Sequence, residues 1–190
     1  VALLLGGLLG MVAGYFRRAD AVLMRFMDGL MAIPAILLAI ALVAALGAQV
    51  WTVVVAIAIP EVPRVTRLVR SLVLTLREEP FVEAARALAT PTPVILLRHI
   101  LPNALAPMIV QGTFIAASAV LTEAILSFLG LGLPPDVPTW GNIMAEGKLE
   151  LRRVPMMVIA PTICIFFTVM SLNFLGDVIQ KRFNVRESLL

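Results

Sequence analysis

One histidine, His99, and one cysteine, Cys164, are all that these 190 residues offer of the side chains most used for nucleophilic and metal chemistry. A single imidazole with no cysteine or carboxylate at ligand spacing makes no metal site. The two residues lie far apart in the chain, and neither has the base and orienting group that an activated nucleophile needs. Gly141 to Lys148 has the look of a phosphate-cradling loop, but five residues separate Gly141 from Gly147, and Leu149 stands where Ser or Thr is required. The sequence therefore offers no catalytic set and no metal site, and any ATP and its magnesium must be held by another chain. What remains is polar chemistry inside apolar runs. Glu123 is an ionisable group at membrane depth, which makes it a functional candidate by default. Two readings stay open for it: it lines a pathway, or it holds the following polar stretch, 130–153, through hydrogen bonds. Gln111, Ser118 and Asn173 are more often interhelical hydrogen-bond partners than ligand contacts, and Gln111 and Asn173 are kept beside Glu123 as candidates. Glu61 opens a series, Arg64, Arg67 and Arg70, at successive i+3 steps. Glu61–Arg64 reads as a helical neighbour pair, and the arginines as anchors of orientation rather than substrate ligands.

The elements that must position these residues are apolar. Hydrophobic residues make up 61% of the chain, charged ones 14%, and mean hydropathy is +1.01, whereas a soluble domain carries about 25% charged residues. The expected fold is all-α, a polytopic transmembrane helical bundle. A span needs roughly 20 apolar residues. On that basis uncharged runs give five spans, at about 1–16, 29–46, 51–70, 102–128 and 154–176. The run from Gly29 to Pro60 is too long for one span and breaks at Gly47-Ala48-Gln49, before Trp51, an interfacial anchor type. Val1–Phe16 lacks the basic region and cleavage site of a signal peptide and reads as a transmembrane helix cut short. Within it Gly6, Gly10 and Gly14 share one face, a pattern that lets another helix approach closely. Static packing is the expected use. Cys164, in mid-run, is expected to be a small buried hydrophobe.

Orientation follows from lysine and arginine. When the passes alternate, Arg17, Arg18, Arg25, Arg64, Arg67, Arg70, Arg77, Arg86, Arg98, Lys181, Arg182 and Arg186 fall on one side, and Lys148, Arg152 and Arg153 on the other. The first side, with the loop 78–101 and the C-terminus, should be cytoplasmic, and 130–153 external. The net charge of +3 thus sets topology and gives no reason to invoke nucleic acid.

The loop is the most informative stretch. Pro80 suits the first turn of a helix, and Glu78 and Glu79 favour its N-terminus. Phe81 to Ala89 are helix formers, with Phe81, Ala85 and Leu88 spaced along one apolar face. Pro91 and Pro93 should stop this helix. A second short helix, about 94–99, then leads into the span opened by Pro102. The loop is thus a helix–turn–helix.

Glu83-Ala84-Ala85 followed by His99-Ile100-Leu101-Pro102-Asn103 resembles the EAA loop of importer-type ABC permeases, which docks into a cleft on the cytoplasmic ATPase. The family's usual glycine, four residues after the second alanine, corresponds to Ala89; the turn would instead fall at Thr90–Pro93. Ser127-Phe128-Leu129-Gly130-Leu131-Gly132, Pro134-Pro135, Pro138-Thr139-Trp140-Gly141 and Glu146-Gly147 are similar to the shorter, C-type permease of oligopeptide, dipeptide and nickel importers. The resemblance covers nearly the whole chain and implies a type I permease fold of six spans, five of them here. It implies ATPase coupling through Phe81, Glu83, Ala84, Ala85, Arg86, Leu88, Ala89 and Arg98. It also implies a second permease, two ATPases and an extracytoplasmic binding protein as partners, no cofactor or catalysis in this chain, and a bacterial or archaeal plasma membrane. A proton-coupled secondary transporter would need paired midplane carboxylates and repeated halves, and neither is evident.

Overall fold

The computed structural model describes residues 1–187, with side chains through Phe183; Arg186, one of the twelve cations used for orientation, has its side chain outside that range. Among the described residues regular structure is helical: α1 (Ala2–Tyr15), α2 (Arg17–Met31), α3 (Ala35–Leu46), α4 (Val50–Leu76), α5 (Pro80–Ala87), α6 (Thr92–Phe128), α7 (Trp140–Gly147) and α8 (Met156–Glu187). The all-α expectation holds, but the expectation of five spans out of six does not. Among the described residues two helices are long and apolar enough to cross a membrane, α6 and Met156–Phe183 of α8, and a third crossing is reached only if α2 and α3, bent by 86°, count as one broken span. Uncharged runs overestimate spans because they ignore where a helix breaks. The first run forms α1, an apolar helix of 14 residues within this sequence. The second is interrupted at Pro34, leaving α3 with 12 residues. The third becomes the long α4, but any 18 consecutive residues of it contain Glu61, Arg64 and Arg67. The break at Gly47 is where the sequence places it, with φ at +87°, a conformation glycine adopts without steric cost.

The chain divides into two compact units. The first contains Val1–Ala32, Glu61–Gly112 and the described residues that follow Val178. Here the glycine ladder of α1 lies on α4. A Cβ at Gly6 would stand 2.6 Å from the Val65 Cβ, one at Gly10 2.7 Å from the Thr66 carbonyl oxygen, and one at Gly14 2.6 Å from the Val73 Cβ. Only hydrogen fits at these positions, and Val65, Val69 and Val73 are fully buried against the ladder's helix. The ladder thus makes a close helix–helix contact, with α4 backbone and valines against the glycine face.

The second unit contains Ile33–Pro60 and Thr113–Val178. Its core joins Ala39 and Val43 of α3, Val53 and Ala56 of α4, and Leu126 of α6, with Leu131 and Leu133 of the following loop packed against them. The stretch 130–153 is more ordered than its polarity suggests, since it carries α7. Thr139 caps that helix, its hydroxyl accepting from the Asn142 amide at 3.1 Å. Gly141 sits on Ala124 and Ser127, and Gly147 on Met157. Cys164 is exposed, not buried: α8 is apolar around its circumference, and only 11% of its apolar window is buried against the rest of the chain.

Candidate functional site

α5 starts as its composition dictates, with Pro80 in the first turn and Glu83 near the positive end of the helix dipole. Its packed face differs from the expected one. Val82 and Ala85 are buried, Val82 completely, whereas Phe81 is 42% and Leu88 81% exposed. Glu83, Ala84, Arg86, Ala89 and Arg98 are exposed as well. Val82 and Ala85 are one turn apart, and Val82 is the position that the periodicity misses: in an eight-residue helix two adjacent apolar stripes compete, and sequence alone does not say which one has a neighbour.

The stop of α5 also differs. Ala89, at φ +54°, is the one non-glycine residue with positive φ among the described residues. The Ala89 amide donates to the Arg86 carbonyl at 2.9 Å and the Thr90 amide to the Ala85 carbonyl at 3.0 Å. This pair of bonds is the Schellman arrangement, in which glycine usually takes the left-handed place. The turn thus falls at Ala89 itself and not at Thr90–Pro93. Pro91 and Pro93 do not end α5; they open the next helix, Pro91 as its N-cap and Pro93 in its first turn.

α6 then runs without a gap from Thr92 to Phe128, so the second loop helix and the following span are one element. Its second turn, Ile95–Ile100, is π-helical, the Leu101 amide reaching back to the Leu96 carbonyl. Pro102 follows directly. It has no N–H to offer, and its ring crowds the carbonyl four residues back, Arg98, which a widened turn relieves. The Asn103 amide group donates to the His99 carbonyl at 2.6 Å. α5 packs against this π turn, and Arg86 lies over the Tyr15 ring at the end of α1, 5.5 Å from its centroid.

The arginines of α4 are more engaged than the sequence suggests. Arg64 pairs with Glu61 at 2.9 Å, as expected, but Arg67 reaches Asp28 at 2.5 Å and Arg70 grips Asp20 with two nitrogens, one of them 2.6 Å from Oδ2. Both carboxylates lie on α2. Arg77 adds a bond to the Gly14 carbonyl at 3.3 Å. Asp20 precedes the uncharged run that begins at Gly29, and the Arg70 guanidinium holds its carboxyl below the ordinary carboxylate range while Arg70 itself is raised. Which acidic residue meets which arginine depends on helix neighbours, and no local pattern encodes that.

Glu123 is half-buried and accepts from the Ser127 hydroxyl at 2.6 Å; the Ser127 oxygen in turn accepts from the Leu133 amide at 3.3 Å. Ser127 is buried. Ser127 thus stands between the Glu123 carboxylate and the loop backbone. Asn142, which the sequence did not single out, adds its amide group to the same loop through the carbonyls of Leu133, Pro134 and Val137, at 3.3, 3.3 and 3.0 Å. Asn173 bonds back to Val169 of its own helix. Gln111, half-buried, belongs to the first unit, and Glu123 and Asn173 to the second. Among the described residues no three His, Cys, Asp or Glu side chains gather as a metal site would require.

Residues 4–188 match the family of binding-protein-dependent transport system inner membrane components. Over 174 residues the chain is 49% identical to a protein of Sinorhizobium fredii named "Probable peptide ABC transporter permease protein y4tQ", covering 92% of this chain and 60% of that one. It is 44% identical to a dipeptide transport system permease protein of Alkalihalophilus pseudofirmus, covering 93% and 58%. It is 41% identical to a glutathione transport system permease protein of Pectobacterium atrosepticum, covering 93% and 59%. The chain thus spans about 60% of the length of these relatives.

Proposed function

From a chain that belongs to the family of binding-protein-dependent transport system inner membrane components, the permeases of peptide-type ABC importers, we infer a subunit that forms half of a translocation pathway and is driven by ATPases bound to α5. The observation that carries this reading is the outward face of α5. Phe81, Ala84 and Leu88 stay uncovered while Val82 and Ala85 anchor the helix to its own chain, and clustered exposed apolar side chains next to charge mark a protein contact. Glu83, Arg86 and Arg98 supply the charged rim, and the turn at Ala89 fixes where the helix ends.

Motion of α5 has a direct route inward. It rests on the π turn, which is continuous with the membrane-crossing length of α6, and Arg86 ties it to α1 through Tyr15. An ATPase that closes around α5 would therefore push on two helices of the permease. ATP and magnesium would be bound by that ATPase, with two copies docked on this chain and on a second permease. The lysine and arginine distribution supports α5 and the C-terminus on the cytoplasmic side of a plasma membrane. A binding protein on the opposite side would deliver a peptide, as the names of the relatives suggest.

Leu88→Glu tests the docking face without touching the packed one. In the assembled importer, membrane insertion should persist while substrate-stimulated ATP hydrolysis falls at least tenfold, since a buried unpaired charge costs several kcal/mol. Full stimulation in this variant would overturn the assignment.

A further inference from the structure

In the second unit an open groove of about 370 Å³ lies between α6 and α8, with Met144 of α7 contributing to its wall. Leu121, Ile125 and Phe128 of α6, Met144 of α7, and Val158 and Ile165 of α8 form its walls. The hydroxyl among the lining side chains, Thr162, already donates, to the Val158 carbonyl at 2.7 Å and towards the Met144 sulfur at 3.4 Å. An irregular peptide segment laid here would have its own N–H and C=O groups unanswered. A hydrocarbon chain has none to satisfy. Beside Phe128 stands a cation: the Lys148 ammonium lies 3.4 Å from the Phe128 carbonyl oxygen and 5.1 Å from the centre of the Phe128 ring, which is itself part of the wall. Lys148 is exposed and makes no ion pair among the described residues.

An apolar trough along two membrane-crossing helices, with a cation over its rim, matches an amphiphile with an anionic head. We propose that the groove holds one acyl chain of an anionic glycerophospholipid whose phosphate lies against Lys148. Lys148 then has a task beyond orientation, since the topology argument leaves it on the side poor in basic residues. The proposal needs α6 and α8 in a membrane but is independent of ATPase docking at α5.

Native mass spectrometry of the protein extracted from membranes in mild detergent, titrated with phosphatidylglycerol or with phosphatidylcholine of the same acyl chains, tests it. Phosphatidylglycerol should bind roughly fivefold more tightly, the preference that one cation near an anionic headgroup provides. Lys148→Gln should bring phosphatidylglycerol down to the phosphatidylcholine value and leave the latter unchanged. Leu121→Trp, which adds bulk at an exposed wall position, should weaken both lipids while thermal stability is kept. Equal affinity for the two lipids in the unaltered protein, or a preference that survives Lys148→Gln, would overturn the proposal. So would a photo-reactive group at position 125 that labels another polypeptide and no lipid.

Discussion

The Thr90 amide donates to the Ala85 carbonyl across Ala89, which is held at φ +54°. A Cβ in that conformation costs roughly 1–2 kcal/mol, and the same turn at the end of α6 uses Gly130, at φ +79°, with the Leu131 amide on the Leu126 carbonyl. Ala89→Gly should therefore stabilise the protein by about 1 kcal/mol once the added freedom of the unfolded chain is subtracted. Ala89→Val should destabilise it by more than that. Thermal unfolding in detergent reads both, and a destabilised Ala89→Gly variant would mean that the turn is not left-handed in solution.

The α1–α4 contact makes a sharper prediction. At Gly10 an added methyl meets the Thr66 backbone carbonyl and the Val69 Cβ, neither of which can swing aside. Gly10→Ala should cost about 1–3 kcal/mol through overpacking, and Gly10→Leu should abolish the folded yield. Gly29 is the control: nothing lies within 4 Å of its hypothetical Cβ, so Gly29→Ala should be neutral or slightly stabilising. Size-exclusion yield and melting temperature compare the three.

Asp20 and Arg70 are 21% and 31% exposed, Asp28 and Arg67 61% and 46%. Screening weakens the second pair more, so Asp20→Asn should cost about 1 kcal/mol and Asp28→Asn less than half of that. Because the folded carboxyl of Asp20 is depressed, its contribution is complete above the ordinary carboxylate range. It is lost as pH falls through the lower folded value. The stability difference between the unaltered protein and Asp20→Asn should accordingly shrink in strong acid; a difference that stays constant to low pH would exclude the ion pair as its cause.

How much of this was legible in the sequence depends on whether the signal is local. The start of α5 at Pro80, the break at Gly47 and the stacking face of Gly6, Gly10 and Gly14 were readable, because each is set by residues within one or two turns. The partners of Asp20 and Asp28, and the choice of Val82 over Phe81 and Leu88 as the buried stripe, were not, since both depend on which helix lies alongside. Span number was misread for a related reason. Absence of charge marks what lipid tolerates, whereas Pro34 and the charged second half of α4 decide how long an apolar helix remains.

Glu123 and Ser127 separate a structural from a pathway role. Ser127→Ala removes the donor to Glu123 and the acceptor of the Leu133 amide at once, at a cost of about 1–3 kcal/mol. Glu123→Gln keeps a carbonyl oxygen for Ser127 and should cost much less. If Glu123 only holds the loop, transport by Glu123→Gln should stay within twofold of normal; a severe transport loss with unaltered melting would favour the pathway reading.

Asn142 makes three side-chain contacts to the backbone of the 130–153 stretch. Its amide nitrogen carries two protons and faces three carbonyl oxygens, those of Leu133, Pro134 and Val137, so the bonds are shared rather than independent. Asn142→Ala leaves those oxygens without their common donor, at a cost of about 1–3 kcal/mol. Asn142→Asp is nearly the same size yet should be worse: it directs a carboxylate at three oxygens, an arrangement that repels until the side chain turns away or takes up a proton. Limited proteolysis between residues 130 and 153 should therefore quicken in the order Asn142, Asn142→Ala, Asn142→Asp at neutral pH. Lowering the pH should slow cleavage of the Asp variant alone, because protonation returns one donor to the site. An Asp variant as resistant as the unaltered protein would show that the loop is held by α7 packing through Gly141 and not by this side chain.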